Sequence, residues 1–291
     1  MPSDLNGAAP GCDGHIVDRL IEERAPQLRR RPLTWKLVRT LLYPLLGYRQ
    51  AMEMADVVRD LSGPEVFDYL SRRLLLAVDC EGLEHLPARG PAVLTANHPA
   101  GIADGVAVYD AVKRVRHDIT FFANRDAIRV APGLAEMIVP VEWMSSRRNH
   151  ERSRETVRHL VDAFRRERLI VIFPSGRLAR PTLRGLQERD WQPSALSLAQ
   201  KYGSPVIPVH VRARSSLLYY LFYLISHELR DMTLFRELLN KQGHPYRIRI
   251  AEPFVPIGDP RELTLQLRTF VAQAMPAGAR RFEPAGTDAP A

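Results

Sequence analysis

Cysteine is nearly missing from this chain: Cys12 and Cys80 are the two thiols in 291 residues. Two cysteines so far apart make neither a disulfide framework nor a zinc site, so a reducing compartment is the expectation. A charged-then-apolar leader is lacking as well, since Met1 to His15 is polar and glycine-bearing. No apolar run approaches the ~18 residues of a spanning helix. The longest, Leu217 to Ile225, is about half that length. Also missing are a GxGxxG opening a helix, a GxxxxGK[ST] loop, an HExxH pair and paired-cysteine spacing, so nucleotide and metal cofactors have no sequence support. Lysine is scarce too, with four residues (Lys36, Lys113, Lys201, Lys241), and arginine carries most of the basic charge. Arginine suits bidentate phosphate contacts, but a skew this uniform reads first as a compositional habit.

What is present is an ordinary globular composition, 45% hydrophobic and 25% charged, which excludes a mainly disordered or fibrous chain. The formal net charge of +8 favours a partner rich in phosphate or carboxylate. Nucleic acid is not the expected partner, because no helix-turn-helix pattern or aromatic-basic surface motif accompanies the charge.

The organisation read from the sequence is a tail over 1–15, a helical extension over 16–72, a main domain over 73–275 and a second tail over 276–291. Both ends are rich in Pro, Gly and Ala and have no apolar period. Within the extension, Val38, Leu41, Leu42 and Leu45 fall at the i, i+3, i+4, i+7 spacing of one helix face. Arg29, Arg30, Arg31, Lys36 and Arg39 flank that stripe, with Trp35, Tyr43 and Tyr48 near its ends. This pattern suits a helix lying in a lipid headgroup layer, and equally a core helix docked on the main domain. Pro44 predicts a kink or a break. From residue 73 onward, β-rich runs alternate with helical stretches. Strands are predicted at 74–80, 92–97, 119–124, 138–142, 169–174, 205–211 and 246–252, and helices at 104–115, 151–167, 193–202, 216–226, 230–241 and 260–275. The fold class implied is α/β, a mixed and largely parallel central sheet flanked by helices, with the helical extension before it.

In such sheets the reactive groups sit in loops at the carboxyl ends of strands, and three predicted strands end in unusual chemistry. The first runs into Asn97-His98-Pro99-Ala100-Gly101-Ile102-Ala103-Asp104-Gly105. A histidine leaves the strand, Pro and Gly shape a turn, and an aspartate opens the next helix. A carboxylate on Nδ1–H would leave Nε2 free to accept a proton, as a general base must. Against this stands the plainer reading of Asp104 as a helix cap and His98 as a loop residue. The second strand ends in Phe122-Ala123-Asn124-Arg125, and the third in Phe173-Pro174-Ser175-Gly176-Arg177, with Arg180 and Arg184 following. Gly176 permits close backbone approach and the arginines offer anion donors. Ser175 raises a serine-hydrolase alternative with His98 and Asp104, although a nucleophile elbow needs glycine where this chain has Phe173. His210, in an apolar strand, reads as a satisfied core histidine.

These blocks, in this order and with Val206-Ile207-Pro208-Val209 as a fourth, resemble the glycerolipid acyltransferase superfamily over about residues 74–255. Its blocks are an Asn-His-x4-Asp, a Phe-x-x-Arg, a Phe-Pro-Glu-Gly-(Thr/Ser)-Arg and an apolar run ending in proline. The stretch Asn97–Gly105 is similar to the hemolysin-like bacterial branch, as is Leu229–Gly243. Two departures are visible. Five residues separate His98 from Asp104 where the main family has four, so the loop must bulge by one, and Ser175 stands in place of the third block's glutamate. The resemblance implies transfer of a fatty acyl group from a thioester, acyl-CoA or acyl carrier protein, to a hydroxyl of a lysophospholipid, glycerolipid or related membrane lipid. It implies His98 as base and Asp104 as its partner, with no bound cofactor or metal. Asn97, Gly101, Arg125, Phe173, Ser175, Gly176 and Arg177 would bind substrate, and N–H groups of the Pro99–Gly101 loop would stabilise the oxyanion. Acyl chains would lie near 33–48 and 216–226. The partners implied are a membrane lipid acceptor, the thioester donor and an anionic membrane surface, and the location the cytoplasm, peripheral on the inner face of the membrane. The alternatives are a Ser175-dependent lipid esterase and an inactive lipid-binding protein on the same scaffold.

Overall fold

Short apolar runs rich in Val, Ile and Leu form the middle of the structure, because a strand covered on both faces has no polar side to show. The computed structural model describes residues 14–142, 150–182 and 185–285. Cys12, Arg184, residues 286–291 and all of the 1–15 tail but Gly14 and His15 lie outside the described residues. The strands are β1 (Ala77–Glu81), β2 (Ala92–Ala96), β3 (Ile119–Asn124), β4 (Ile138–Val141), β5 (Leu169–Ile172), β6 (Arg180–Thr182), β7 (Gly185–Gln187), β8 (Val206–Arg212) and β9 (Pro245–Ile250). β6 and β7 form a separate hairpin, and the other strands form one sheet in the order β1-β9-β8-β2-β5-β3-β4. Every pairing in that sheet is parallel except β8 with β9. The fold is therefore the α/β class expected, a mixed and largely parallel sheet between helices.

The helices are α1 (Ile16–Arg24), α2 (Pro26–Arg29), α3 (Pro32–Leu45), α4 (Tyr48–Val58), α5 (Gly63–Leu74), α6 (Ile102–Val112), α7 (Asp126–Val130), α8 (His150–Arg165), α9 (Ser194–Lys201), α10 (Leu217–Ile225), α11 (His227–Met232), α12 (Leu234–Leu239) and α13 (Pro260–Thr269). On one sheet face Leu94, Val171 and Ile207 pack with Val66 and Phe67 of α5 and Val106 and Ala107 of α6. On the other, Val93, Ile170 and Val206 pack with Leu160 and Phe164 of α8, Leu196 of α9 and Leu267 of α13. Val93 and Leu94 serve opposite faces because strand side chains alternate. A third cluster joins Val17, Ile21, Trp35, Tyr43 and Ala51 of the helical extension to Met232 of α11.

Several sequence expectations need correction. The stripe on α3 is split: Val38 and Leu42 pack inward against that third cluster, whereas Leu33, Leu37, Leu41 and Leu45, spaced by four, are exposed. Of the kink or break expected at Pro44 the structure has the break, since α3 stops one residue later. The helix predicted over 230–241 is two, interrupted at Thr233, whose hydroxyl donates to the Arg230 carbonyl at 2.6 Å. Residues 276–285, read from composition as tail, pack on the body. Phe282 is buried against Phe254 and Phe270, and the Glu252 N–H donates to the Arg280 carbonyl. Proline and glycine made that stretch look unstructured, but one aromatic anchor suffices to seat it.

Candidate active site

β8, β2, β5 and β3 are parallel neighbours, so the loops after their carboxyl ends open on one edge of the sheet. Asn97 leaves β2 by pairing its side-chain amide with the main chain of β8: Oδ1 accepts from the Val211 N–H at 2.6 Å and Nδ2 donates to the Val211 carbonyl at 2.8 Å. It acts as an extra rung of the ladder. The expectation that Asn97 binds substrate is corrected accordingly, because its amide is already engaged.

The two groups foreseen as a pair do meet. His98 Nδ1 lies 2.9 Å from Asp104 Oδ2, and the Asp104 side chain is wholly buried. The same oxygen accepts the Ala100 N–H at 2.8 Å and the Gly101 N–H at 3.0 Å, so three donors fix its direction. A carboxylate accepts here, so Nδ1 carries the proton and Nε2 presents its lone pair. No hydrogen bond among the described residues engages Nε2. The imidazole is stacked on Phe173, with ring centroids 4.4 Å apart. Phe173, expected at the substrate, thus supports the imidazole ring.

Gly101 turns the loop. Its φ of +92° lies in the region that glycine alone enters freely, and a Cβ there would stand 3.0 Å from Leu178 Cδ2. This geometry also corrects the expected oxyanion donors. Pro99 has no N–H, and those of Ala100 and Gly101 already serve Asp104.

On its second oxygen Asp104 has a different neighbour. Neither Oδ1 nor the Tyr246 hydroxyl has a hydrogen-bond partner among the described residues, and both are buried. Burial first, and then the Asp104 carboxylate, hold the Tyr246 phenol far above its ordinary range. Tyr246 arrives there because β9 runs antiparallel to β8 and so begins beside the end at which β8 finishes.

The anion donors occupy different situations. Arg125 is mostly buried and pairs through Nη1 with Glu155 at 2.7 Å, while its Nε and Nη2 are buried without partners among the described residues. Arg177 is exposed on the rim, after a turn in which Gly176 takes φ +61° and donates its N–H to the Phe173 carbonyl. Ser175 is buried, and its Oγ donates to the Arg177 carbonyl at 2.9 Å. No hydrogen bond joins it to His98, so the serine-base contact that an esterase needs is not assembled. His210 is the satisfied core histidine expected, with Nδ1 2.9 Å from the Val271 carbonyl.

One partly buried acid escaped the sequence reading. Glu188, just past β7, accepts the main-chain N–H of His98 on Oε1 and the Trp191 indole N–H on Oε2 at 2.7 Å, and Ser175 Oγ lies 3.3 Å from Oε1. Burial raises its carboxyl above the usual carboxylate range, partly offset by those hydrogen bonds. Ninety residues separate it from His98, and nothing in the polar stretch Gln187-Glu188-Arg189-Asp190 singles it out. Among the described residues no cluster of three His, Cys, Asp or Glu side chains could hold a metal ion.

Comparison with known proteins bears on this geometry. Residues 77–212, which contain each of the blocks above, match the family model described as Acyltransferase. A lyso-glycine lipid O-acyltransferase of Phocaeicola vulgatus is 27% identical over 144 residues, 49% of this chain and 50% of that protein, so the match spans about half the length of this relative. A lyso-glycine lipid O-acyltransferase of Bacteroides thetaiotaomicron is 22% identical over 205 residues, 70% of this chain and 72% of that one. The crystal structure of the 1-acyl-sn-glycerophosphate (LPA) acyltransferase PlsC from Thermotoga maritima aligns at 16% identity and a TM-score of 0.47, covering 92% of this chain and 99% of that chain.

Proposed function

Because this chain belongs to the glycerolipid acyltransferase superfamily, we propose that it transfers a fatty acyl group from a thioester to the hydroxyl of a lysolipid. The observation that carries the reading is the 2.9 Å contact between His98 Nδ1 and a wholly buried Asp104 carboxylate. With the proton held on Nδ1, Nε2 takes the proton of the acceptor hydroxyl. The oxygen so freed attacks the thioester carbonyl, the tetrahedral intermediate collapses, and the thiolate leaves with the proton that Nε2 returns. No acyl-enzyme is required, since the nucleophile is the acceptor's own oxygen. Asp104 holds the tautomer and balances the imidazolium charge.

Arg125 is the candidate for the acceptor's anionic head group, having Nε and Nη2 buried and unengaged among the described residues. Arg177 on the rim offers a second cation. The relatives' acceptor, a lyso-glycine lipid, is one member of the lysolipid class that this site would take, and the donor is acyl-CoA or acyl carrier protein. Among the described residues no helix is long and apolar enough to cross a membrane. Exposed leucines on α3, with Arg30, Arg31, Lys36 and Arg39 also exposed nearby, and exposed Leu217, Leu221, Leu224 and Ile225 on α10 favour attachment at an anionic membrane surface, on its cytoplasmic face.

The test is acyl transfer from labelled palmitoyl-CoA and palmitoyl-acyl carrier protein to lyso-glycine lipid and to lysophosphatidic acid in turn. His98→Gln should lose about 10²–10⁴-fold in kcat, the range of general-base catalysis, and Asp104→Asn a comparable amount through loss of the right tautomer. Wild-type turnover in a folded His98→Gln chain would end this reading.

A further inference from the structure

Glu188 has no task in the scheme above, yet its surroundings are built. Its side chain reaches the site from the end of the β6–β7 hairpin and is held at both ends. Arg268 donates to the Glu188 carbonyl at 2.7 Å and to Asp190 Oδ1 at 2.9 Å. Trp191, itself buried, donates to Glu188 Oε2. The other oxygen meets the His98 main-chain N–H and the Ser175 hydroxyl. Burying a carboxylate is costly unless its hydrogen bonds are made, and one of those made here goes to the loop that carries the base.

Two features bear on why a carboxylate stands there. First, the third block of this chain has serine where the superfamily pattern has glutamate, and the Glu188 side chain returns a carboxyl group to within 3.3 Å of that serine, thirteen residues later in the chain. Second, the Glu188 contact is made to the His98 main-chain N–H itself, separately from the bonds that hold the loop through Asn97, Ala100, Gly101 and Asp104. The His98 carbonyl accepts the Ala179 N–H at 3.0 Å, and Pro99 contributes no donor. We propose that Glu188 is a positioning residue that stands in for the missing glutamate. Its carboxylate, set against Ser175, clamps the His98 main chain so that the imidazole stays on Asp104 and Phe173. This inference rests on the acyl-transfer reading for its consequence, though not for its geometry.

The experiment uses the full chain labelled with ¹⁵N-histidine and three variants: Glu188→Ser, the isosteric Glu188→Gln, and the exchange Ser175→Glu/Glu188→Ser. The exchange keeps composition and volume while moving the carboxylate to position 175. A charge-assisted hydrogen bond places the His98 amide proton downfield, and this signal is the first readout. It should move upfield in Glu188→Ser and Glu188→Gln and return in the exchange. The second readout is acyl transfer. Glu188→Ser should lower kcat about tenfold or more with acceptor KM within about twofold, because the defect lies in the base and not in binding. The exchange should regain most of that kcat, a rescue that a merely structural role would not give. An unmoved amide in Glu188→Gln together with full kcat overturns the proposal, as does an exchange variant no better than Glu188→Ser in both readouts. If the wild-type chain transfers no acyl group, the acyl-transfer reading is the one that fails, and the amide signal alone decides where the carboxylate acts.

Discussion

Asp104 uses its two oxygens differently: one accepts from His98, Ala100 and Gly101, and the other faces a phenol without a strict hydrogen bond. The first oxygen sets the tautomer, so the chemistry depends on a single atom with three donors. Glu188 is a second acid at the site. Burial holds its carboxyl above the ordinary value of 4.5. A folded state that keeps a proton which the unfolded chain gives up loses stability as pH rises, from the unfolded value to the raised folded one. Glutamine at 188 has no such proton. The melting temperature of Glu188→Gln relative to wild type should therefore be flat below about pH 4, climb above it, and level off once the pH passes the raised folded value. Thermal melts at several pH values check this, and a difference independent of pH would mean that Glu188 is not buried as a strained acid. The His98–Asp104 pair was legible because both lie on one tight turn, six positions apart. Glu188 and Tyr246 were not, because tertiary structure brings them from 90 and more than 140 residues away, and a strand tyrosine announces burial without saying what its hydroxyl meets.

Among the elements, the central strands were legible because β2 and β5 are buried along their whole length and so read as unbroken apolar runs. The β6–β7 hairpin was not. Its strands are three residues long and mostly exposed, too short for alternation to register, yet it delivers Glu188 to the site. The α3 pattern was legible only in part. Periodicity located one apolar stripe, but the helix has two, and packing decides which leucines turn inward. Leu37 and Leu41 are 59% and 62% exposed, so replacing them removes little folded-state contact. Leu37→Asp/Leu41→Asp should leave the melting temperature within a few degrees of wild type. It should abolish sedimentation with vesicles of phosphatidylglycerol, each leucine being worth about 1.5–3 kcal/mol when fully buried in an apolar phase. Undiminished vesicle binding by the folded double variant would remove α3 from the membrane contact.

For the whole molecule the question is whether charge or apolar surface dominates attachment. The net charge is +8, and each cation near an anionic surface contributes about 1 kcal/mol. On α3 and its approach Arg29 is partly committed to Glu22 at 3.3 Å and Arg39 lies over the Tyr43 ring, which leaves Arg30, Arg31 and Lys36 freest to meet lipid. Three such cations supply roughly 3 kcal/mol, less than the roughly 6–12 kcal/mol of four fully inserted leucines, and the exposed face of α3 presents four beside them. Apolar contact should therefore set the floor of binding and charge the increment above it. Raising salt from about 0.05 to 0.5 M shrinks the Debye length from over 10 Å to about 4 Å. Affinity for phosphatidylglycerol vesicles should then fall by about one to two orders of magnitude and level off near the affinity for phosphatidylcholine vesicles. Vesicle titrations at stepped salt measure both quantities. A fall to no binding at all would make electrostatics the whole of the attachment and leave the exposed leucines of α3 and α10 without that role.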